Sequence, residues 1–260
     1  MKTIIINADD FGMAPAINEA IVNLFELGVV DSASLMVPVP AFDAAAELAR
    51  SHHIPCGVHL VLASDWDMCR FRPLTRGSTL VTQDGYFPPH VRDLDAAANR
   101  DEVEAECSAQ IERVIAQGLA PTHIDSHIAP FNEDILARLS RRYDLPCRDL
   151  LRDYPERMCQ YESLFHLTPI EHPHKLSALI EWLTNLPAGQ HICVVHPAVD
   201  DAALLSMCSE RLSGRRRWLR EFRVSDYEVL SSPTVRTALS RFDGRHSQGP
   251  TFRILGKHHS

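Results

Sequence analysis

Two rhythms alternate along the chain. Short β-branched runs closed by polar residues give way to longer stretches whose apolar positions return every three or four residues. Residues 3–7, ending in Asn7, predict a buried parallel strand. After Pro15, the residues Ile17, Ala20, Ile21, Leu24 and Phe25 fall at helical spacing, with Gly28 suited to the C-terminal cap. The alternation continues with a strand at 34–37, closed by Pro38 and Pro40, a helix at 42–50 and a strand at 57–62. Val103, Cys107, Ile111 and Val114 share one face of the clearest helix, 101–117, with Gly118 just beyond it. A strand at 122–126, a helix at 134–143, a fifth strand at 145–150, a helix at 175–186 and a strand at 191–196 follow. The last third reads as helix, turn, helix and a final strand near 251–255, with 256–260 a frayed tail.

One stretch breaks the rhythm. Residues 63–100 are rich in Pro, Gly, Asp and Arg, and connections of that length are usually functional or disordered. Trp66, Tyr86 and Phe87 favour an ordered, functional one. Alternating strands and helices predict an α/β fold with a parallel sheet, doubly wound or closed into a barrel. No glycine-rich phosphate loop follows any strand, which argues against nucleotide binding. The barrel is favoured because chemistry-bearing residues collect at the C-terminal ends of several strands, where barrel active sites are built. Neither a repeat nor a dividing linker is visible, so residues 1–260 read as one domain.

Composition narrows the possible partners. With 26 Lys or Arg against 34 Asp or Glu, the formal charge is −8, which disfavours nucleic acid and anionic membrane as main partners. The cluster Arg215-Arg216-Arg217 reads as a solvated helix face. No apolar stretch approaches the ~20 residues needed to cross a bilayer. Ile4, Ile5 and Ile6 form too short a run for a secretion signal, which needs about 7–15 apolar residues. Seven scattered cysteines without a C-x-x-C pair suit reduced thiols, and a cytoplasmic location is expected. Fourteen histidines are the compositional oddity.

Four places can carry chemistry: Asp9 and Asp10 after the first strand, His59 in the third, His123, Asp125 and His127 at the fourth, and His196 ending a later strand. Each has a plainer reading. Adjacent aspartates also make turns and helix caps, a lone strand histidine is often a hydrogen-bonded core residue, and His196 before Pro197 also suits a strand terminus. His123, Asp125 and His127 are harder to set aside, because period two puts all three on one face, where they need partners or a metal. One carboxylate with two histidines is a common ligand set for a catalytic divalent ion, and the groups left over supply an acid and a base.

The stretches INADDFGM with Asn18 following, VDSASLMVP, GVHLVLASDW leading to RPL, PTHIDSH and VVHPAVDD occur in that order. A weaker stretch, SDYEVLSSP near Asp226, extends the pattern to about residue 239. Together they resemble the YdjC-like carbohydrate deacetylases of the ChbG and HpnK type. The resemblance implies an irregular (β/α) barrel, TIM-barrel-like and related to the NodB-type polysaccharide deacetylases. It implies one divalent metal ion, Mg²⁺ or Zn²⁺, on Asp10, His59 and His127, with Asp9 as general base and His196 as general acid. The division between Asp9 and Asp10 follows the aspartate pair of the NodB-type enzymes, and the reverse division is open. His123 is the substitute ligand; otherwise His123 and Asp125 orient the ligands.

The implied reaction is hydrolysis of an N-acetyl group on a small amino sugar or glycoconjugate. Trp66, Arg70 and Arg148 are expected to bind substrate, with Arg72 and Tyr86 walling the cleft. Ile128-Ala129-Pro130-Phe131 stands where the chitooligosaccharide-deacetylase branch has further histidines, so a chitobiose-type substrate is not assumed. A homodimer is the commonest expectation for an oligomer. Two rivals remain: another metal-dependent hydrolase cleaving a phosphoester or cyclic amide, and a non-catalytic metal- or sugar-binding protein on the same scaffold.

Overall fold

Period two along the central strands decides what each face of the sheet holds. In a computed structural model describing residues 2–67, 69–95, 98–128, 132–208, 219–242 and 252, β1 spans Lys2–Phe11. On one side of it follow β2 (Ser32–Met36), β3 (Cys56–Leu60) and β4 (Ile124–Ser126). On the other side lie β6 (Gly189–Val195) and then β5 (Ser163–His166), and every neighbouring pair is parallel. The α/β architecture expected from the alternation is present as a curled half-barrel.

The helices are α1 (Pro15–Glu26), α2 (Phe42–Ser51), α3 (Val91–Asp95), α4 (Arg100–Ala116), α5 (Glu133–Tyr143), α6 (His172–Asn185), α7 (Leu219–Leu230) and α8 (Pro233–Leu239). Their starts follow local chemistry. Pro15 takes the first position of α1, where its missing N–H costs nothing. Asn99, Asn132 and Ser232 cap α4, α5 and α8 by accepting from the backbone N–H groups of Asp101, Ile135 and Val235.

Ile4, Ile6 and Ala8 of β1, Ala33 and Leu35 of β2, Val58 and Leu60 of β3, and Ile124 of β4 join the main core. Each fully buried Ile, Leu or Val side chain among them contributes about 1.5–3 kcal/mol. On the opposite face, Ile5, Ile192 and Val194 join Cys159 and Phe252 in a second, smaller cluster. Continuing along that same face, alternation brings up Asn7 and Asp9 on β1, Ser34 on β2, His59 on β3 and Asp125 on β4. The concave face therefore has an apolar floor and, at the C-terminal ends of the strands, a polar rim.

One strand expectation needs correction, and one strand was not expected. Residues 145–150 do not form a strand: only Cys147 pairs, with Ile124 on one side and Met158 on the other. Pro146 lacks an N–H for a longer ladder. The fifth strand is instead Ser163–His166, whose half-exposed residues carry no alternation that would announce it. This irregular segment matters for the shape. Cys159 N donates to Cys147 O at 2.7 Å and Glu162 N donates to Gln190 O at 2.7 Å, so a few residues of chain run from the β4 side to the β6 side.

The 63–100 connection is ordered where described. The buried carboxylate of Glu106 on α4 accepts from Leu74 N, Thr75 N and Thr75 Oγ1 at 2.7–3.0 Å. Ser64 Oγ accepts from Phe71 N at 2.7 Å. The expected strand at 251–255 (apart from Phe252), the 256–260 tail, Arg215–Arg217 and residues 129–131 lie outside the described residues. Among the described residues, no helix is long and apolar enough to cross a membrane.

Candidate active site

Adjacent residues on a strand point to opposite faces, so Asp9 and Asp10 need a backbone device to meet. The β1–β2 register shifts between Ala8 and Phe11, and Asp10 adopts a left-handed φ of 67°. Such a residue costs about 1–3 kcal/mol, and Asp tolerates it better than most. Asp10 is turned by this irregularity to the same rim as Asp9, His59 and His127.

Asp125 is the hub of the rim. Its Oδ1 accepts from His59 Nδ1 at 2.6 Å, its Oδ2 accepts from Ser34 Oγ at 2.7 Å and His123 Nε2 at 3.1 Å, and Arg148 Nη2 forms an ion pair with Oδ2 at 2.9 Å. Burial opposes its charge, but Arg148 and His59 outweigh burial and hold the carboxyl well below the usual range. His123 lies behind this hub rather than with Asp10. It is fully buried, its ring stacks on Phe252 at 3.9 Å, and burial lowers its pKa. Gly57 makes room for it, since a Cβ there would stand 2.5–2.6 Å from both ring nitrogens.

Arg148 also grips Asp9, with Nη1 and Nη2 each donating to one carboxylate oxygen at 2.6 Å. Asn7 Nδ2 donates to Oδ1 at 2.7 Å. Against the cost of burial, Arg148 and His59 keep Asp9 ionised, with its pKa lowered. The arginine expected to touch substrate is thus wholly engaged with two carboxylates.

Asp10 has a different set of neighbours. Its Oδ1 stands 2.9 Å from His127 Nδ1 and 3.3 Å from His59 Nε2, while Arg223 on α7 donates to its Oδ2. Burial raises the Asp10 pKa, but Arg223 and His127 more than reverse this. On its far side, His127 Nε2 meets Asp65 Oδ1 at 3.1 Å. Burial lowers the pKa of both imidazoles, yet the carboxylates around them prevail. Asp125 and Asp9 push His59 to about 10, and Asp10 and Asp65 push His127 to about 9.

His196 closes the rim from the end of β6. Its Nε2 is 3.9 Å from Asp9 Oδ2, and its Nδ1 donates to Thr168 Oγ1 at 2.8 Å. Thr168 in turn donates to Asp226 Oδ2 at 2.6 Å, and the same oxygen accepts from His196 N at 3.0 Å. The buried ammonium of Lys175 pairs with the other oxygen of Asp226 and with Phe222 O. Burial lowers the His196 pKa, against the pull of Asp10 and Asp9.

A divalent ion fits these residues. Asp10, His59 and His127 each offer a ligand atom, all within 4.8 Å of one another. His59 Nε2 is buried without a hydrogen-bond partner while its Nδ1 is held by Asp125. Atoms bound to one ion at about 2.0–2.2 Å lie roughly 3 Å apart, which the distances from Asp10 Oδ1 already approach. A second grouping, Asp9, His59 and Asp125, is equally compact, but Arg148 occupies both of its carboxylates.

Two of the residues expected to bind sugar, Trp66 and Arg70, sit away from the rim. Trp66 is packed in the main core with 3% exposure, so it presents no face to a ligand. Arg70 pairs with Asp84, and Arg70 and Arg72 lie over the Tyr86 ring at 4.3 and 3.9 Å. All three line an open groove of about 810 Å³ between α2 and α4, to which none of the rim residues contributes. Sequence reasoning missed Asp65, Thr168 and Arg223 as site residues. Asp226 had a signal only in the weak SDYEVLSSP stretch, and Asp65 only in its place within GVHLVLASDW.

Comparison with known proteins identifies the family. A family model described as YdjC-like protein matches residues 3–241. A carbohydrate deacetylase of Geobacillus stearothermophilus is 34% identical, covering 89% of this chain and 90% of its own. A carbohydrate deacetylase of Vibrio vulnificus strain YJ016 is 34% identical over 92% of each chain, and one of Thermus thermophilus is 30% identical over 93% and 90%. Among solved structures, an Enterococcus faecalis V583 protein described by a proposed role in cellobiose-phosphate cleavage superposes with a TM-score of 0.74. It is 27% identical and covers 92% of this chain and 94% of its own. With its motifs in order on the rim of a half-barrel and a family match over nearly its whole length, the chain belongs to the YdjC-like family.

Proposed function

We propose that the protein is a carbohydrate deacetylase that hydrolyses an N-acetyl group on an amino sugar, using a divalent ion held by Asp10, His59 and His127. The observation that carries this reading is the approach of Asp9 and His196, 3.9 Å apart, beside that ligand set. A bound ion supplies Lewis acidity, which acidifies water and polarises the acetyl carbonyl. Two imidazoles and a carboxylate suit Zn²⁺ better than Mg²⁺, which prefers oxygen ligands.

The chain's own groups handle the protons. Asp9, kept ionised by Arg148, accepts a proton from the attacking water. His196, its Nδ1–H held by Thr168, takes up at Nε2 the proton that Asp9 drew from the water, 3.9 Å away, and so charged delivers it to the amine nitrogen as the C–N bond breaks. The products are acetate and the free amino sugar. Asp125 and His123 act through His59, Arg148 through Asp9, and the fold works as one domain. A phosphoester substrate is disfavoured because the two arginines of the rim, Arg148 and Arg223, each already face a carboxylate. A pure binding protein would have no use for Asp9 and His196 beside the three ligands.

The test is acetate release from a panel of N-acetylated sugars by protein reloaded with Zn²⁺ or Mg²⁺. Release from at least one sugar, abolished by chelation, is expected. No acetate from any sugar, together with turnover of an aryl phosphate, overturns the reading.

A further inference from the structure

We infer that Asp65 is a positioning residue for the metal centre, fixing His127 so that its Nδ1 is the ligating nitrogen. The inference rests on the metal-dependent reading above. The two imidazoles are backed in the same way but through opposite nitrogens. His59 gives Nδ1 to Asp125 at 2.6 Å and turns Nε2 toward Asp10 Oδ1 at 3.3 Å. His127 gives Nε2 to Asp65 at 3.1 Å and turns Nδ1 toward the same oxygen at 2.9 Å. An ion shared with Asp10 would take the inner nitrogen of each ring, so the nitrogen facing the outer carboxylate, which accepts only, keeps its proton and the lone pair of the neutral ring goes to the inner one. Asp65 therefore does for His127 what Asp125 does for His59.

The chain around Asp65 is built to hold it there. Ser64 N donates to Pro88 O at 2.8 Å, Ser64 Oγ accepts from Phe71 N at 2.7 Å, and Asp67 N donates to Cys208 O at 3.2 Å. Trp66, next in sequence, is sunk into the main core. The Phe71 ring meets His127 edge-on, with centroids 6.5 Å apart. This gives the irregular 63–100 connection a task that no strand or helix performs: it carries a carboxylate to the outer side of a ligand.

Zinc calorimetry on the whole protein and on Asp65→Asn and Asp65→Ala, with NMR of the ¹⁵N-histidine-labelled proteins, tests this. Asp65→Ala is expected to lose about 10–100-fold in zinc affinity, the usual effect of removing such a partner. Asp65→Asn, whose carbonyl oxygen still accepts, should lose less. Zinc-loaded wild type should show one histidine ligating through Nδ1 and one through Nε2, and Asp65→Ala should lose the slowly exchanging Nε2–H of His127. Unchanged zinc affinity in Asp65→Ala, or ligation by both histidines through Nε2, overturns the inference. If Asp65→Ala unfolds, Asp65→Asn with the tautomer spectrum decides alone. Zinc binding with no acetate release removes the deacetylase reading and leaves Asp65 in place, whereas wild type that takes up no zinc removes both.

Discussion

Arg148 clasps Asp9 with two parallel hydrogen bonds of 2.6 Å, across 139 residues of sequence, and its Nη2 also reaches Asp125 at 2.9 Å. One guanidinium thus balances two buried carboxylates from two strands. Removing it strands both charges. Arg148→Met is expected to destabilise the fold by about 3–5 kcal/mol, the range for breaking a buried pair from one side. The acid limb of unfolding should move as well. Asp9 and Asp125 are held below the ordinary 3.8, so their contribution is present above that pH and is lost as pH falls through their folded values. Without Arg148 burial dominates, the folded pKa values rise, and acid unfolding begins at higher pH, measurable by circular dichroism.

The histidines behave in the opposite sense. In chelated protein, His59 is raised to about 10 and His127 to about 9 from an ordinary 6.5. Their stabilising contribution is therefore complete below pH 6.5 and disappears as pH rises through 9 to 10. Metal reverses the dependence, because ligation displaces those protons and strengthens as pH rises. Urea unfolding of chelated and zinc-loaded protein from pH 6 to 10 should give curves that diverge with pH, and parallel curves would remove the metal centre.

Gly57→Ala tests how tightly the hub is packed. The new methyl would meet the His123 ring, which Phe252 covers on one side. Overpacking of this kind costs about 1–3 kcal/mol. A lower melting temperature is expected, with weaker zinc binding because His123 leans on Asp125 and Asp125 on His59.

Period two put His123, Asp125 and His127 on one face, while the convergence of Asp9 and His59 with them followed only from strand ends meeting at one mouth. It could not say that Asp10 joins them, since that depends on a left-handed φ and a register shift. Thr168 and Asp65 lie on connections whose paths no periodicity determines. Arg223 and Asp226 reach the rim from α7, so their role emerges only when that helix packs against the strand ends. The misplaced fifth strand has a similar cause: 163–166 is held by pairing with β6, not by an apolar rhythm of its own.

Substituting each aspartate separately distinguishes base from ligand. Asp9→Asn should keep zinc affinity within a few fold while acetate release falls about 10²–10⁴-fold, as loss of a general base does. Asp10→Asn should lose zinc affinity itself, measured by calorimetry. Zinc loss in Asp9→Asn with zinc retained in Asp10→Asn would reverse the two roles.

Thr168→Val isolates the orientation of His196 from the stability of its surroundings. The hydroxyl stands between His196 Nδ1 and Asp226 Oδ2, at 2.8 and 2.6 Å. Valine keeps the shape but can neither accept from the imidazole nor donate to the carboxylate. Asp226 retains Lys175 and His196 N, so no buried charge is left alone and the melting temperature should change little. His196 loses the group that keeps its Nδ1 protonated and its Nε2 facing Asp9, so proton delivery to the departing amine should slow. A fall in kcat of about tenfold with KM nearly constant is expected, since an interaction used only in the transition state is being removed. Asp226→Asn, by contrast, leaves the Lys175 ammonium buried without its counter-charge and should unfold the protein more readily, by about 3–5 kcal/mol. Equal kcat in Thr168→Val and wild type would assign Thr168 to packing alone and leave the proton donor to be sought elsewhere on the rim.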